Sequence, residues 1–114
     1  MTSNTDPEPR INPLFRIANK HSATSLELIV GQPPMARLRG EIRRMDMRPL
    51  TSDDMGHLLR DIMTAEAAKD LETNGSVDFT YVVGKNECQF RCRVSKREGE
   101  LGLYARRLAQ SIRD

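Results

Sequence analysis

Tryptophan is absent from this sequence, and aromatic residues fill only 4% of its 114 positions. A stacking platform for bases or sugars needs more aromatic surface than that. Nucleic acid could be held only through phosphate contacts that weaken steeply with salt, so it is not an expected partner. No window approaches 18 consecutive apolar residues, which excludes a membrane-spanning helix. Residues Met1 to Arg10 have no apolar run of the kind that marks a secretory signal. Together these absences predict a cytoplasmic chain without membrane insertion. Cysteine is scarce as well. Cys88 and Cys92 lie four residues apart in a stretch that alternates like a strand. At about 3.3 Å per residue their Cα atoms stand roughly 13 Å apart, too far for a disulfide. With His21 and His57 remote in sequence, no metal site is predicted, and both cysteines read as small hydrophobes on a buried strand face.

What remains is enough for one domain with one core. Residues 1–10, with Pro7 and Pro9 among small polar residues, read as a disordered tail. The domain is expected over 11–109, with a short C-terminal tail at 110–114. Asn12 followed by Pro13 reads as a helix cap and first helical position, with Leu14, Ile17 and Ala18 on the buried face of a helix ending near Lys20. Strands are expected at 25–30, 35–39 and 41–45, the last two joined through Gly40. Thr51 with Asp54 forms a capping box, and Met55, Leu58, Leu59, Ile62 and Met63 make a core stripe at helical spacing. Thr64 caps a further helix that ends at Asn74-Gly75. Three more strands follow. Val77, Phe79, Tyr81 and Val83 share one face of the first. Cys88, Phe90, Cys92 and Val94 share one face of the second, with Gln89, Arg91, Arg93 and Ser95 opposite. The third runs through 101–108. The fold class is α+β, an antiparallel sheet with helices packed on one face.

Charge is small in sum, +2, but uneven. Five arginines against two acids lie between Arg37 and Arg48, two bases against seven acids between Pro49 and Gly84, and eight bases against four acids from Lys85 onward. The basic stretches coincide with the expected strands and the acidic one mostly with helices. Such a division suits a protein or phosphate partner, or self-association.

Catalytic patterns are missing. The Gly84-Lys85 pair is followed by Asn86, and Phe79 occupies the first glycine position that a phosphate-cradling loop requires. No nucleophile has a base beside it in any known motif. Asp53 and Asp54 serve the helix start, where carboxylates are favoured by the helix dipole. The chain is not expected to be an enzyme and implies no cofactor.

The order of short motifs is more specific. Ala23 to Leu28, Gly31-Gln32-Pro33-Pro34-Met35-Ala36-Arg37, Gly40-Glu41-Ile42, Leu50 to Asp54, Asp78 to Tyr81, Phe90 to Val94 and Ala105 to Leu108 appear in series. This series resembles the N-terminal domain of the PilT-type ATPases, the retraction motors of type IV pili and twitching motility, which belong with the type II/IV secretion ATPases. The resemblance implies a PAS-like domain, which in that family precedes a RecA-like ATPase domain in a hexameric motor. It also implies that basic residues near the end of this domain contact a protein or nucleotide phosphate. Arg91, Lys96, Arg106 and Arg107 stand at such positions, while Glu98 replaces an arginine and the family's Asp and His in the first strand are lost from Thr24 to Leu28. The expected function is a non-catalytic protein-interaction or regulatory domain, with a PilT-type or related secretion ATPase, or a second copy, as partner. The alternatives are the excised N-terminal domain of a complete motor and a PAS-like sensory module for a small ligand.

Overall fold

The structure, a computed structural model, describes residues 8–108. In chain order the elements are α1 (Asn12–Lys20), β1 (Ser25–Ile29), β2 (Met35–Leu38), β3 (Glu41–Arg44), α2 (Ser52–Arg60), α3 (Ala65–Asn74), β4 (Ser76–Val83), β5 (Cys88–Arg97) and β6 (Glu100–Arg107). The six strands form one sheet in the order β3-β2-β1-β6-β5-β4, and every neighbouring pair is antiparallel. The α+β class and the single antiparallel sheet read from the sequence are those observed.

Register follows from the hydrophobic alternation, since a slip of one residue would turn each strand's apolar set outward. Leu26 stands opposite both Ala36 and Ala105, Ala105 opposite Cys92, and Cys92 opposite Phe79. Leu28, Leu103 and Val94 form the next row. These side chains join Ile11, Leu14, Phe15, Met55, Leu59, Ile62 and Leu71 from the helical segments in one buried cluster. All three helices therefore lie on the same face of the sheet. The capping box forms as read: the Asp54 N–H donates to Thr51 Oγ1 and the Thr51 N–H to Asp54 Oδ2. The β2–β3 turn is a two-residue hairpin with Arg39 and Gly40 at φ 52° and 80°, the left-handed pair whose twist matches the flanking strands.

Two details of α1 differ from the sequence reading. Asn12 does not cap the helix: Ile11 occupies the cap position and makes no side-chain cap bond. The Asn12 side chain is instead buried, accepting from the Tyr81 hydroxyl at 2.6 Å and donating to Glu8. Satisfying a partly buried phenol outweighed the cap. Ile17 is exposed and Phe15 takes the core position, with its ring 4.6 Å from that of Phe90 and 5.4 Å from that of Tyr81. An aromatic residue buries more area than isoleucine, so the helix turns that face inward.

Residues 1–7 of the expected N-terminal tail, and 109–114 at the other end, lie outside the described residues. Glu8 is held on the domain by Arg16, whose guanidinium grips Glu8 at 2.6 and 2.8 Å and Glu87 at 2.9 and 3.0 Å. This fork links the chain before α1 to the β4–β5 turn. Arg16 holds the Glu8 carboxyl at about 2, against a usual 4.5, and lowers Glu87 in the same way.

Phe90→Ala is expected to destabilise the fold by about 3–5 kcal/mol because the ring is fully buried. Arg93→Ala on the opposite face is expected to cost under about 1 kcal/mol, and denaturant melts of the two variants check the assignment of faces. A depressed carboxylate pKa stabilises the fold above the unfolded value and loses that contribution as pH falls through the folded value. The stability difference between wild type and Glu8→Gln should therefore be present at neutral pH, shrink below about pH 4.5 and vanish near pH 2, as read from thermal melts across that range.

Candidate functional site: the uncovered sheet face

Side chains alternate across a sheet, so the residues between the core positions form a second face. None of the three helices covers it. Two cross-strand rows run over it. One reads Arg44, Met35, Glu27, Tyr104, Arg93, Asp78 from β3 to β4, and the next reads Ile42, Arg37, Ser25, Arg106, Arg91, Thr80. Ser25 is nonetheless buried, because it sits between Arg37 and Arg106, whose long apolar stems can lie over it. Large hydrophobic residues are interspersed with the arginines: Ile29, Ile42, Val82 and Tyr104 are each between 42% and 47% exposed. An apolar surface studded with arginine and tyrosine is the composition of a protein interface rather than of an inert solvated sheet.

The sharpest electrostatic feature is Arg91 directly opposite Arg106. Like charges opposed across a strand pair are destabilising unless something of opposite sign neutralises them. The nearby carboxylate, Asp78, has both oxygens engaged by Arg93, at 2.8 and 3.0 Å, and that ion pair lowers its pKa. Among the described residues Arg91 hydrogen-bonds the Thr80 hydroxyl, at 3.4 Å, and acts on Asp78 only through its charge. Arg91, Arg93 and Arg106 with Asp78 and Tyr104 line a hollow of about 260 Å³ carrying three cations and one anion. Guanidinium groups in this arrangement suit carboxylate or phosphate, which they grip with paired hydrogen bonds.

Beside this hollow runs a larger groove of about 640 Å³, bordered by Ile29, Arg93, Ser95, Arg97, Glu100 and Tyr104. Its cause is local. In the row Ile29–Gly102–Ser95 the central residue has no side chain, and a Cβ at Gly102 would come no nearer than 3.6 Å to the Leu28 carbonyl oxygen. The missing side chain leaves a trough between Ile29 and Tyr104.

Of the four basic residues singled out in the sequence, the structure brings two together. Arg91 and Arg106 share the uncovered face. Arg107 points to the other side and donates from Nε to the Ala23 carbonyl oxygen at 2.9 Å, half-buried, tying the end of β6 to the segment before β1. Lys96 donates to Glu72 of α3 at 2.8 Å, on the helix side. Both are fastened to this chain's own groups. Glu87 and Glu100 accept from Arg16 and from Ser52. Tyr104, Ile29, Arg37 and Gly102 escaped the sequence reading, because only the strand order places β1 beside β6, with β2 next beyond it, and brings their outward residues into the rows of Tyr104 and Arg106.

The two thiols add no reactivity to this face. Cys88 and Cys92 are buried on the core side, and burial pushes the Cys92 thiol up to about 12. Among the described residues, no three His, Cys, Asp or Glu side chains cluster as metal ligands, and no helix is long and apolar enough to cross a membrane.

Comparison with known proteins agrees with this architecture. No protein-family profile matches the chain. Over 73 residues it is 36% identical to the type IV pilus retraction ATPase PilT of Pseudomonas aeruginosa, a stretch covering 64% of this chain and 21% of that protein. The crystal structure of the pilus retraction motor PilT with bound ADP superposes with a TM-score of 0.81 at 27% identity, covering 96% of this chain and 31% of that one. The ATPase DotB of Legionella pneumophila superposes at 0.73 with 19% identity, and DotB of Yersinia pseudotuberculosis at 0.72 with 13%, likenesses of fold alone. The chain thus spans about a fifth of the length of the curated relative and about a third of each solved one.

The divided roles of the adjacent arginines are testable by denaturant unfolding. Arg106→Ala is expected within about 0.5 kcal/mol of wild type, whereas Arg107→Ala, losing a charged hydrogen bond to a half-buried carbonyl, is expected to cost about 1–3 kcal/mol. In sequence and in fold, the chain is similar to the N-terminal region of the PilT-type retraction ATPases.

Proposed function

We propose that this chain is a non-catalytic, cytoplasmic interaction domain that docks on a PilT-type or related secretion ATPase through its uncovered sheet face and regulates it. The observation that carries this reading is the opposed pair Arg91 and Arg106, in a cluster with excess positive charge beside exposed Tyr104. A surface that only kept the sheet soluble would gain nothing from placing two like charges opposite each other. An acidic group on a partner would neutralise both, and Tyr104 and Ile29 would add apolar contact around it. The likeness to pilus and secretion ATPases supplies the class of partner. The docking face is contained within residues 25–107, so the reading holds equally for a chain acting alone and for a segment of a longer motor.

Reversal at Arg91 separates docking from folding. Arg91→Glu is expected to leave the melting temperature nearly unchanged and to weaken binding to a purified PilT-type ATPase at least tenfold, about 1.4 kcal/mol. Pull-down and titration of wild type and variant make the measurement, and unchanged affinity would remove this face from the interaction.

A further inference from the structure

The two edges of the sheet are built differently. β3 is four residues long, three of them charged: Glu41, Arg43 and Arg44. Short, charged edge strands resist pairing with another chain. β4 is eight residues, Ser76–Val83, rich in β-branched and aromatic residues and without proline or lysine. Its single charge, Asp78, is already paired with Arg93. Among the described residues no strand pairs with its outer edge.

The phase of the β4–β5 ladder identifies which backbone groups that edge offers. The Lys96 N–H donates to the Gly75 carbonyl at 2.9 Å, and Gly75 precedes the pair Ser76–Ser95. Hydrogen-bonded and open pairs alternate in an antiparallel ladder, so Val77, Phe79, Tyr81 and Val83 bond inward to β5. The N–H and C=O groups of Ser76, Asp78, Thr80 and Val82 point outward. On the helix side of the same strand Val77, Phe79 and Tyr81 remain only partly buried.

We propose that β4 pairs antiparallel with β4 of a second copy about a twofold axis at Phe79, extending the sheet across the dimer. The self-complementarity is specific. In this register Asp78 stands opposite Thr80 of the second copy and Ser76 opposite Val82, so no like charges meet. Phe79 packs on its own symmetry mate, with Val77 against Tyr81. The outward groups of both strands then form about eight backbone hydrogen bonds. A register shifted to bring Asp78 opposite itself would oppose two carboxylates. The outward backbone groups of β4 take no part in the Arg91–Arg106 cluster, although the Asp78 and Thr80 side chains border it, and this inference does not rest on the proposed function.

Sedimentation of the chain at concentrations up to about 1 mM, the weak end of specific association, tests it. Wild type is expected to be a monomer–dimer equilibrium. Thr80→Pro removes an outward donor and leaves the β4–β5 ladder intact, and is expected to weaken the dimer at least tenfold with the fold retained by circular dichroism. Thr80→Asp, which places a carboxylate opposite Asp78 of the second copy while facing Arg91 in its own chain, is expected to weaken it likewise if proline perturbs the strand. Phe79→Cys is expected to yield a disulfide-linked dimer on mild oxidation, and Val77→Cys is not. A wild type that stays monomeric throughout, or a dimer indifferent to both Thr80 variants, overturns the proposal. Arg106→Glu, on β6 and two strands from this edge, is expected to leave the sedimentation unchanged while weakening ATPase docking, so failure of docking and failure of self-pairing are read separately.

Discussion

The packing of Phe15 on Phe90 decides how this molecule meets its surroundings. Phe90 is near the start of β5, fully buried, and Phe15 lays α1 across it and Tyr81. The Tyr81 hydroxyl then finds its acceptor in Asn12, so the same helix that supplies apolar area also satisfies the partly buried phenol. Met55, Leu59 and Leu71 bring α2 and α3 to the same side. With all three helices there, no described element covers the other face. Its composition has to be compatible with water.

That face meets this demand with arginine. A guanidinium favours water while its apolar stem can lie over a small neighbour such as the buried Ser25, and Arg93 neutralises Asp78. The exposed Ile29, Ile42, Val82 and Tyr104 are separated by these charges rather than gathered into one large apolar patch, which keeps the sheet from non-specific collapse. The basic residues of the later strands thus divide into two kinds. Arg107 and Lys96 hold the fold together through Ala23 and Glu72, and Arg91 and Arg106 look outward. Geometry alone separates the fasteners from the outward pair.

Much of this was legible in the sequence because it depends on neighbours along the chain. The alternation from Cys88 to Val94 is local, and it correctly put Phe90 inside and Arg91 outside. The capping box at Thr51 and Asp54 is set by a spacing of three residues. The hairpin at Arg39-Gly40 needs only a turn that tolerates positive φ. Because consecutive strand residues face opposite ways, Arg106 and Arg107 also had to part company before any tertiary contact was known.

Contacts between distant residues settled the rest. Asn12 beside Pro13 has the form of a helix cap, but the phenol that claims it lies 69 residues away. Which of Phe15 and Ile17 turns inward depended on the surface that α1 meets, and that surface is Phe90 and Tyr81. Strand order was equally invisible, and it makes β1 the neighbour of β6, sets Arg37 and Arg106 on either side of Ser25, and opens the trough over Gly102. Sequence determined the face on which each strand residue sits, since pleating has a fixed period. Only the tertiary structure decided which of those faces became neighbours and which was left open, because pairing and helix docking join residues that the chain keeps far apart.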